Sequence, residues 1–253
     1  MSKKWQCVTR YVANTKHLSL CARLNSVIKE SFYAQTIEAL NNVASQMPTQ
    51  DLVTYFVPLI KRLASKDWFT SRISAAGIIA VPYEHVTGDA SRELAEIFQR
   101  LVEDDTPMVR RAACAHLGTL SKRMSSGECE QIMLPLLKRL ASDEQDSVRL
   151  LAVDNCCVLS PLVSSKLLDE SLLPTIMLLA KDKSWRVRWS VANKFVSLCD
   201  ALGTEITQHQ LVEPFQALME DREAEVRTAA ASAITQVSKH LSPEGLSNYV
   251  RTE

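Results

Sequence analysis

A short motif returns along this 253-residue chain at an almost constant interval. Asp104-Asp-Thr-Pro-Met-Val-Arg-Arg-Ala-Ala113 is followed by Asp143-Glu-Gln-Asp-Ser-Val-Arg-Leu-Leu-Ala152, by Asp182-Lys-Ser-Trp-Arg-Val-Arg-Trp-Ser-Val-Ala192 and by Asp221-Arg-Glu-Ala-Glu-Val-Arg-Thr-Ala-Ala230. The arginines stand at Arg72, Arg110, Arg149, Arg188 and Arg227, in steps of 38, 39, 39 and 39 residues. The aspartates Asp104, Asp143, Asp182 and Asp221 and the valines Val109, Val148, Val187 and Val226 step by 39 throughout. A fixed period of this size means stacked structural repeats, each covering its neighbour's apolar face, and it overrides any reading as one central core.

Within each period the apolar spacing is helical. Leu52, Phe56, Leu59, Ile60 and Leu63 form one stripe, a short polar break follows at Lys66-Asp67-Trp68, and helical spacing resumes from Phe69 to Ala80. The other periods repeat the plan, with first helices expected at about 90–102, 128–141, 166–181 and 208–220 and second helices at about 107–123, 146–160, 185–201 and 224–240. The expected division is a non-repeating, partly helical segment 1–31, then an array over 32–253. That array comprises a half unit 32–47, full units 48–86, 87–125, 126–164, 165–204 and 205–242, and the start of another at 243–253. Thr106 and Ser184 stand where a capping hydroxyl belongs, with Pro107 at a first helical position that needs no N–H. Pro58, Pro135, Pro174 and Pro214 recur inside the first helices, Ile97 filling the omitted place, and an interior Pro predicts a kink there.

Composition narrows the function. Lysine plus arginine and aspartate plus glutamate each number 29, so no global charge favours nucleic acid or an anionic membrane as partner. No run is long enough to span a bilayer. The seven cysteines lack zinc-type spacing, which suits reduced thiols in a cytosolic protein. His17, His85, His116, His209 and His240 are scattered, and no Gly-rich phosphate loop or nucleophile elbow occurs. The chain is therefore expected to carry no catalytic site, cofactor or metal. A nucleic-acid or transport adaptor would need a basic stripe, and an enzyme would need convergent titratable groups; neither is visible.

Two sets of residues remain. The arginines with Asp104, Asp143, Asp182 and Asp221 are expected to form a structural ladder, each guanidinium bridging to the carboxylate of its own unit or of the next. The loops also carry large apolar residues beside charge, the mix found at interface anchors: Asp67, Trp68, Phe69, Asp105, Thr106, Pro107, Met108, Arg110 and Arg111, then Glu144, Asp146, Lys183, Ser184, Trp185, Arg186 and Glu223.

Asp67-Trp-Phe-Thr-Ser-Arg72, Tyr55-Phe-Val-Pro-Leu-Ile-Lys-Arg-Leu63, Glu223-Ala-Glu-Val-Arg-Thr-Ala-Ala230 and the four motif copies together resemble the scaffold (regulatory A-type) subunits of protein phosphatase 2A. The resemblance covers roughly 32–253 and extends to the loops. It implies an all-α fold, an α-solenoid of HEAT repeats whose antiparallel helix pairs stack into a right-handed superhelix. It also implies a non-catalytic scaffold that binds regulatory (B-type) subunits through its intra-repeat loops, in the cytoplasm and also the nucleus. In that family further C-terminal repeats hold the catalytic subunit; they are absent here, so the chain reads as a partial copy that binds the catalytic subunit only if such repeats exist. The alternative is a HEAT-repeat interaction adaptor unrelated to phosphatase. Arg186-Val-Arg-Trp189 matches a short docking motif for type-1 protein phosphatase, but that motif binds as an extended strand, and these residues fall inside an expected helix.

Overall fold

The computed structural model describes residues 30–241, with side chains from residue 35 onward. The expected segment 1–31 falls almost wholly outside this range, as does 243–253. Every regular element among the described residues is helical. The described residues divide into two compact units, one ending at His116 and the other beginning at Leu117, the division falling inside the helix Pro107–Ser121.

In the first unit the helix Glu30–Ala44 is followed by a first helix over 49–64, a second over Phe69–Ile78 and Ala80–His85, then Asp89–Val102 and the start of Pro107–Ser121. In the second unit the first helices run over 126–141, 165–180 and 204–219, and the second helices are Asp146–Leu159, Trp185–Leu202 and Ala224–Val237. The apolar stripes meet between helices as their spacing requires: Leu52, Phe56, Ile60, Leu94 and Phe98 in the first unit, and Leu137, Val148, Leu172, Phe195 and Phe215 in the second, are buried.

One expectation needs correction, and another gains detail. The helix expected to stop near Ala80 runs on to His85, interrupted only at Ile79. Pro82 lacks the N–H that would bond the Ile78 carbonyl, so the helical hydrogen bonding falters there and then resumes. The recurrent prolines, in turn, are met by a change of winding. Pro58, Pro135, Pro174 and Pro214 each follow a five-residue π turn, Leu52–Phe56, Cys129–Met133, Leu168–Leu172 and Thr207–Leu211. The helix Asp89–Val102, which carries Ile97 at that place, is α-helical throughout.

Glycine leaves room where helices approach closely. A Cβ on Gly77 would lie 2.7 Å from Ile37 Cδ1, and one on Gly118 would lie 2.9 Å from Asn155 Oδ1. Asn155 uses that oxygen to accept the Gly118 N–H at 2.8 Å, and its amide donates to the Leu151 carbonyl at 3.1 Å.

Candidate functional site

The loop between the two helices of each repeat is built around the aspartate and arginine of the motif. Each first helix ends on a residue with ψ near zero, such as Ser142 (φ −108°, ψ 13°) and Lys181 (φ −103°, ψ 17°). The aspartate comes next or one residue later. Its Oδ1 accepts the backbone N–H two residues on: Thr106 at 2.9 Å from Asp104, Gln145 at 2.9 Å from Asp143, Ser184 at 2.7 Å from Asp182 and Glu223 at 2.9 Å from Asp221. This turn, made by the aspartate on its own backbone, sets the entry to the second helix. The Ser184 hydroxyl therefore does not cap its helix, contrary to expectation. It donates instead to Asp146 Oδ2 at 2.9 Å. The Thr106 hydroxyl accepts from Arg72 Nη2 at 3.0 Å.

The arginines resolve the open question of the ladder. Arg149 donates Nε and Nη2 to Asp182 Oδ2 and Oδ1 at 2.7 and 2.9 Å, so the fork takes the carboxylate of the following repeat. Its Nη1 donates to the Asp143 and Glu144 carbonyls at 2.7 and 3.1 Å, within its own loop. Arg188 does the same with Asp221, at 2.5 and 2.9 Å, and with the Asp182 carbonyl at 2.8 Å. In the first unit Arg72 grips Asp104 at 2.6 and 3.1 Å and the Lys66 and Asp67 carbonyls at 2.8 and 2.7 Å. One planar guanidinium thus shapes its own loop and fastens the next, a task for which its fixed fork suits it and a lysine would not. Arg110 donates to the Asp104 and Asp105 carbonyls at 2.9 and 3.2 Å. Arg227 donates to the Asp221 and Arg222 carbonyls at 2.6 and 3.0 Å, and among the described residues no carboxylate reaches its fork.

The electrostatics follow the geometry. Hydrogen bonds from Arg188 hold the Asp221 carboxyl below its ordinary range, against the opposing effect of burial. Burial pushes the Asp182 carboxyl up, but the hydrogen bonds from Arg149 and the Ser184 N–H together bring it below its ordinary value. The same carboxylates push the Arg149 and Arg188 guanidinium groups up, so these remain charged. Because both acids titrate lower in the folded state than in the unfolded chain, their contribution is complete above the unfolded carboxylate range near pH 3.9 and is lost as pH falls through the lower folded values. The urea midpoint is therefore expected to hold between about pH 7 and pH 5 and to drop below about pH 4, and the drop should shrink in Asp221→Asn. A midpoint in that variant that falls as steeply as in the parent would count against the pair.

Outside this buried frame, the loops present apolar surface. In the first unit Trp68 is 71% exposed and Met108 45%; Phe69, Asp67, Asp105 and Arg111 are also exposed, while Thr106 and Pro107 are half-buried. Arg110 is buried, so this ridge candidate belongs to the frame and not to the surface. In the second unit Trp185, Arg186, Lys183 and Glu144 are exposed, and Asp146, Ser184 and Glu223 are half-buried. The Arg186 guanidinium lies 5.8 Å from the Trp185 ring centroid, and its Nη1 is 3.7 Å from Asp146 Oδ2. Asp146, receiving both Ser184 and Arg186, is partly committed within the protein. Trp189, named above only within the Arg186–Trp189 motif and not among the loop-surface residues, is 41% exposed on the same helix as Trp185. Its place follows the ladder arginine, where the other repeats carry Ile73, Arg111, Leu150 and Thr228, so no shared pattern marked it. Val187 and Arg188 of the Arg186–Trp189 motif are buried in the helix Trp185–Leu202 and are not open to pairing as a strand.

Among the described residues Cys114, Cys129, Cys156 and Cys199 are buried and Cys157 is half-buried. Burial pushes Cys129, Cys157 and Cys199 up to about 11, well away from a reactive thiolate, and burial pushes His116 down toward the neutral imidazole. Among the described residues no group of His, Cys, Asp and Glu is placed to hold a metal ion, and no helix is long and apolar enough to cross a membrane.

Comparison with known proteins agrees with this architecture. The family model PPP2R1A-like HEAT repeat matches residues 204–251, and the HEAT repeat model matches 94–124 and 172–202. The chain is 42% identical over 108 residues to the alpha isoform of the 65 kDa regulatory A-type subunit of serine/threonine-protein phosphatase 2A from Arabidopsis thaliana, a stretch covering 43% of this chain and 18% of that protein. It is 46% identical over 88 residues to the beta isoform from Homo sapiens, covering 35% of this chain and 15% of the relative. The chain thus spans less than a fifth of the length of these relatives. Among solved structures, the karyopherin Kap121p bound to the extreme C-terminus of the protein phosphatase Cdc14p superposes with a TM-score of 0.69 at 16% identity, over 88% of this chain and 23% of that one. At that identity the likeness speaks for the fold alone, an α-solenoid of HEAT repeats.

Proposed function

We propose that this HEAT-repeat chain, homologous over 88 to 108 residues to the 65 kDa regulatory A-type subunits of protein phosphatase 2A, is a non-catalytic scaffold for a Ser/Thr phosphatase complex and binds B-type regulatory subunits through its intra-repeat loops. The observation that carries the reading is a division of labour within the loops. The forks of Arg72, Arg149 and Arg188 are satisfied from within, whereas Trp68, Phe69 and Met108 in the first unit and Trp185 in the second stand outside them, exposed beside charge. Solvent-facing aromatics on a rigid frame are what an interface uses as anchors, because little side-chain freedom is lost on binding. The 32–253 array and its unit boundaries are part of this proposal, as is cytoplasmic and nuclear placement.

Capture of a B-type regulatory subunit by the chain tests the reading. Trp68→Ala is expected to weaken the complex roughly tenfold or more, the effect of losing one interface anchor. Val53→Ala should change it little, since Val53 is 40% exposed but lies near the start of its first helix, about three turns before the loop that carries Trp68. Equal affinities for the two variants, or no capture by the parent chain, would count against a loop-borne scaffold. A HEAT-repeat adaptor unrelated to phosphatase would give the second outcome.

A further inference from the structure

We propose that the four proline-bearing first helices yield at their π turns, so that the give in each of those repeats resides in one backbone register, and that the repeat carrying Ile97 is the stiff one. In the three copies whose closing bond is seen, the amide after the turn reaches back five residues: Val57 to the Leu52 carbonyl, Leu134 to Cys129 and Leu173 to Leu168. A proline stands one residue further on in each case. Each of the four helices contains pieces of 3, 5 and 8 residues, against 14 residues in the continuous helix Asp89–Val102. The winding change thus goes with the proline and with a longer helix.

The physical reason is local. In the α register the proline nitrogen would face the carbonyl four residues back, at Thr54, Gln131, Glu170 and Gln210, and it has no hydrogen to give. The ring would also crowd that carbonyl. These four residues are all exposed, so the carbonyls can take water instead. Leaving the α register therefore forfeits no bond at that point, and the wide turn holds the residue that an α turn would have to expel toward the preceding loop. Returning to α would rotate the segment before it by about 100° and pull Leu52 and Phe56, Cys129 and Met133, or Leu172 out of the core. The turn is thus held by side-chain burial more than by its own hydrogen bonds, and it is the place where a first helix opens without unfolding. Where Ile97 donates a normal amide and is itself buried, that route is closed.

Hydrogen exchange on the full chain under native conditions reads this directly. The amides of Val57, Leu134 and Leu173 are expected to exchange at least about tenfold faster than that of Glu96 at the matching place, a difference of about 1.4 kcal/mol in opening free energy. Pro174→Ala should slow exchange over 168–173 toward the Glu96 rate. Ile97→Pro should speed exchange over 93–96 and leave 168–173 unchanged, which separates local opening from general loss of stability. Uniform protection across the five first helices, or unchanged exchange over 168–173 in Pro174→Ala, would overturn the proposal.

Discussion

Arg149→Ala is expected to lower the unfolding free energy by about 3–5 kcal/mol, whereas Arg227→Ala should lower it by only about 1 kcal/mol, although the two arginines occupy the same place in the repeat. Arg149 and Asp182 have side chains only 5% and 7% exposed. Removing the guanidinium leaves a carboxylate in a poorly solvated site with the Ser184 N–H as its remaining donor there, and it strips the Asp143 and Glu144 carbonyls of theirs. The cost is that of the stranded partner, more than of a lost attraction. Arg227 sits in water and forfeits only its two loop carbonyl bonds. Urea unfolding of both variants gives the comparison. The double change Arg149→Met with Asp182→Leu should recover most of the loss, because it removes both charges together. Equal losses for the two single variants would show that the fork between repeats adds nothing.

How far these groups could be read from the chain depended on what kind of regularity each one obeyed. The arginine and aspartate repeat with the period, so their pairing was legible; which carboxylate each arginine takes was not. That choice depends on the stagger between two helix pairs, and the pairing of Arg149 with Asp182 and not Asp143 spans 33 residues that no local rule connects. Pro135 and Pro174 are legible as disturbances, but the form the disturbance takes is not: the π turns Cys129–Met133 and Leu168–Leu172 depend on which neighbours are buried, among them Met133 and Leu172. Arg110 fits two patterns in the sequence, the ladder and the exposed loop ridge; the Asp104 and Asp105 carbonyls that converge on it place it in the ladder's frame. The apolar stripe of each helix needed none of this. Spacing alone placed Leu52, Phe56, Leu59 and Ile60 in the core.

Phe195→Ala should cost about 3–5 kcal/mol and should also change the form of unfolding. Phe195 lies on the helix Trp185–Leu202 and Phe215 on Val212–Met219, the first helix of the next repeat; both are buried, with ring centroids 4.6 Å apart and planes inclined by 40°. The pair is therefore a joint between repeats, not an internal part of either. In a stacked array the stability of each repeat is borrowed through such joints, and weakening one lets the repeats on either side melt separately. Arg188 with Asp221 fastens the same two repeats at their loop edge, so the repeat over 204–237 would stay attached there while its apolar face loosens. Calorimetry of Phe195→Ala is expected to show a low-temperature shoulder absent from the parent, and hydrogen exchange should rise over 207–237 before it rises over 146–159. Phe195→Leu keeps most of the volume and should cost less than about 1.5 kcal/mol with no shoulder. A single unbroken transition in Phe195→Ala, shifted but not split, would mean that the repeats of this unit are coupled through the loop forks and not through the aromatic joint.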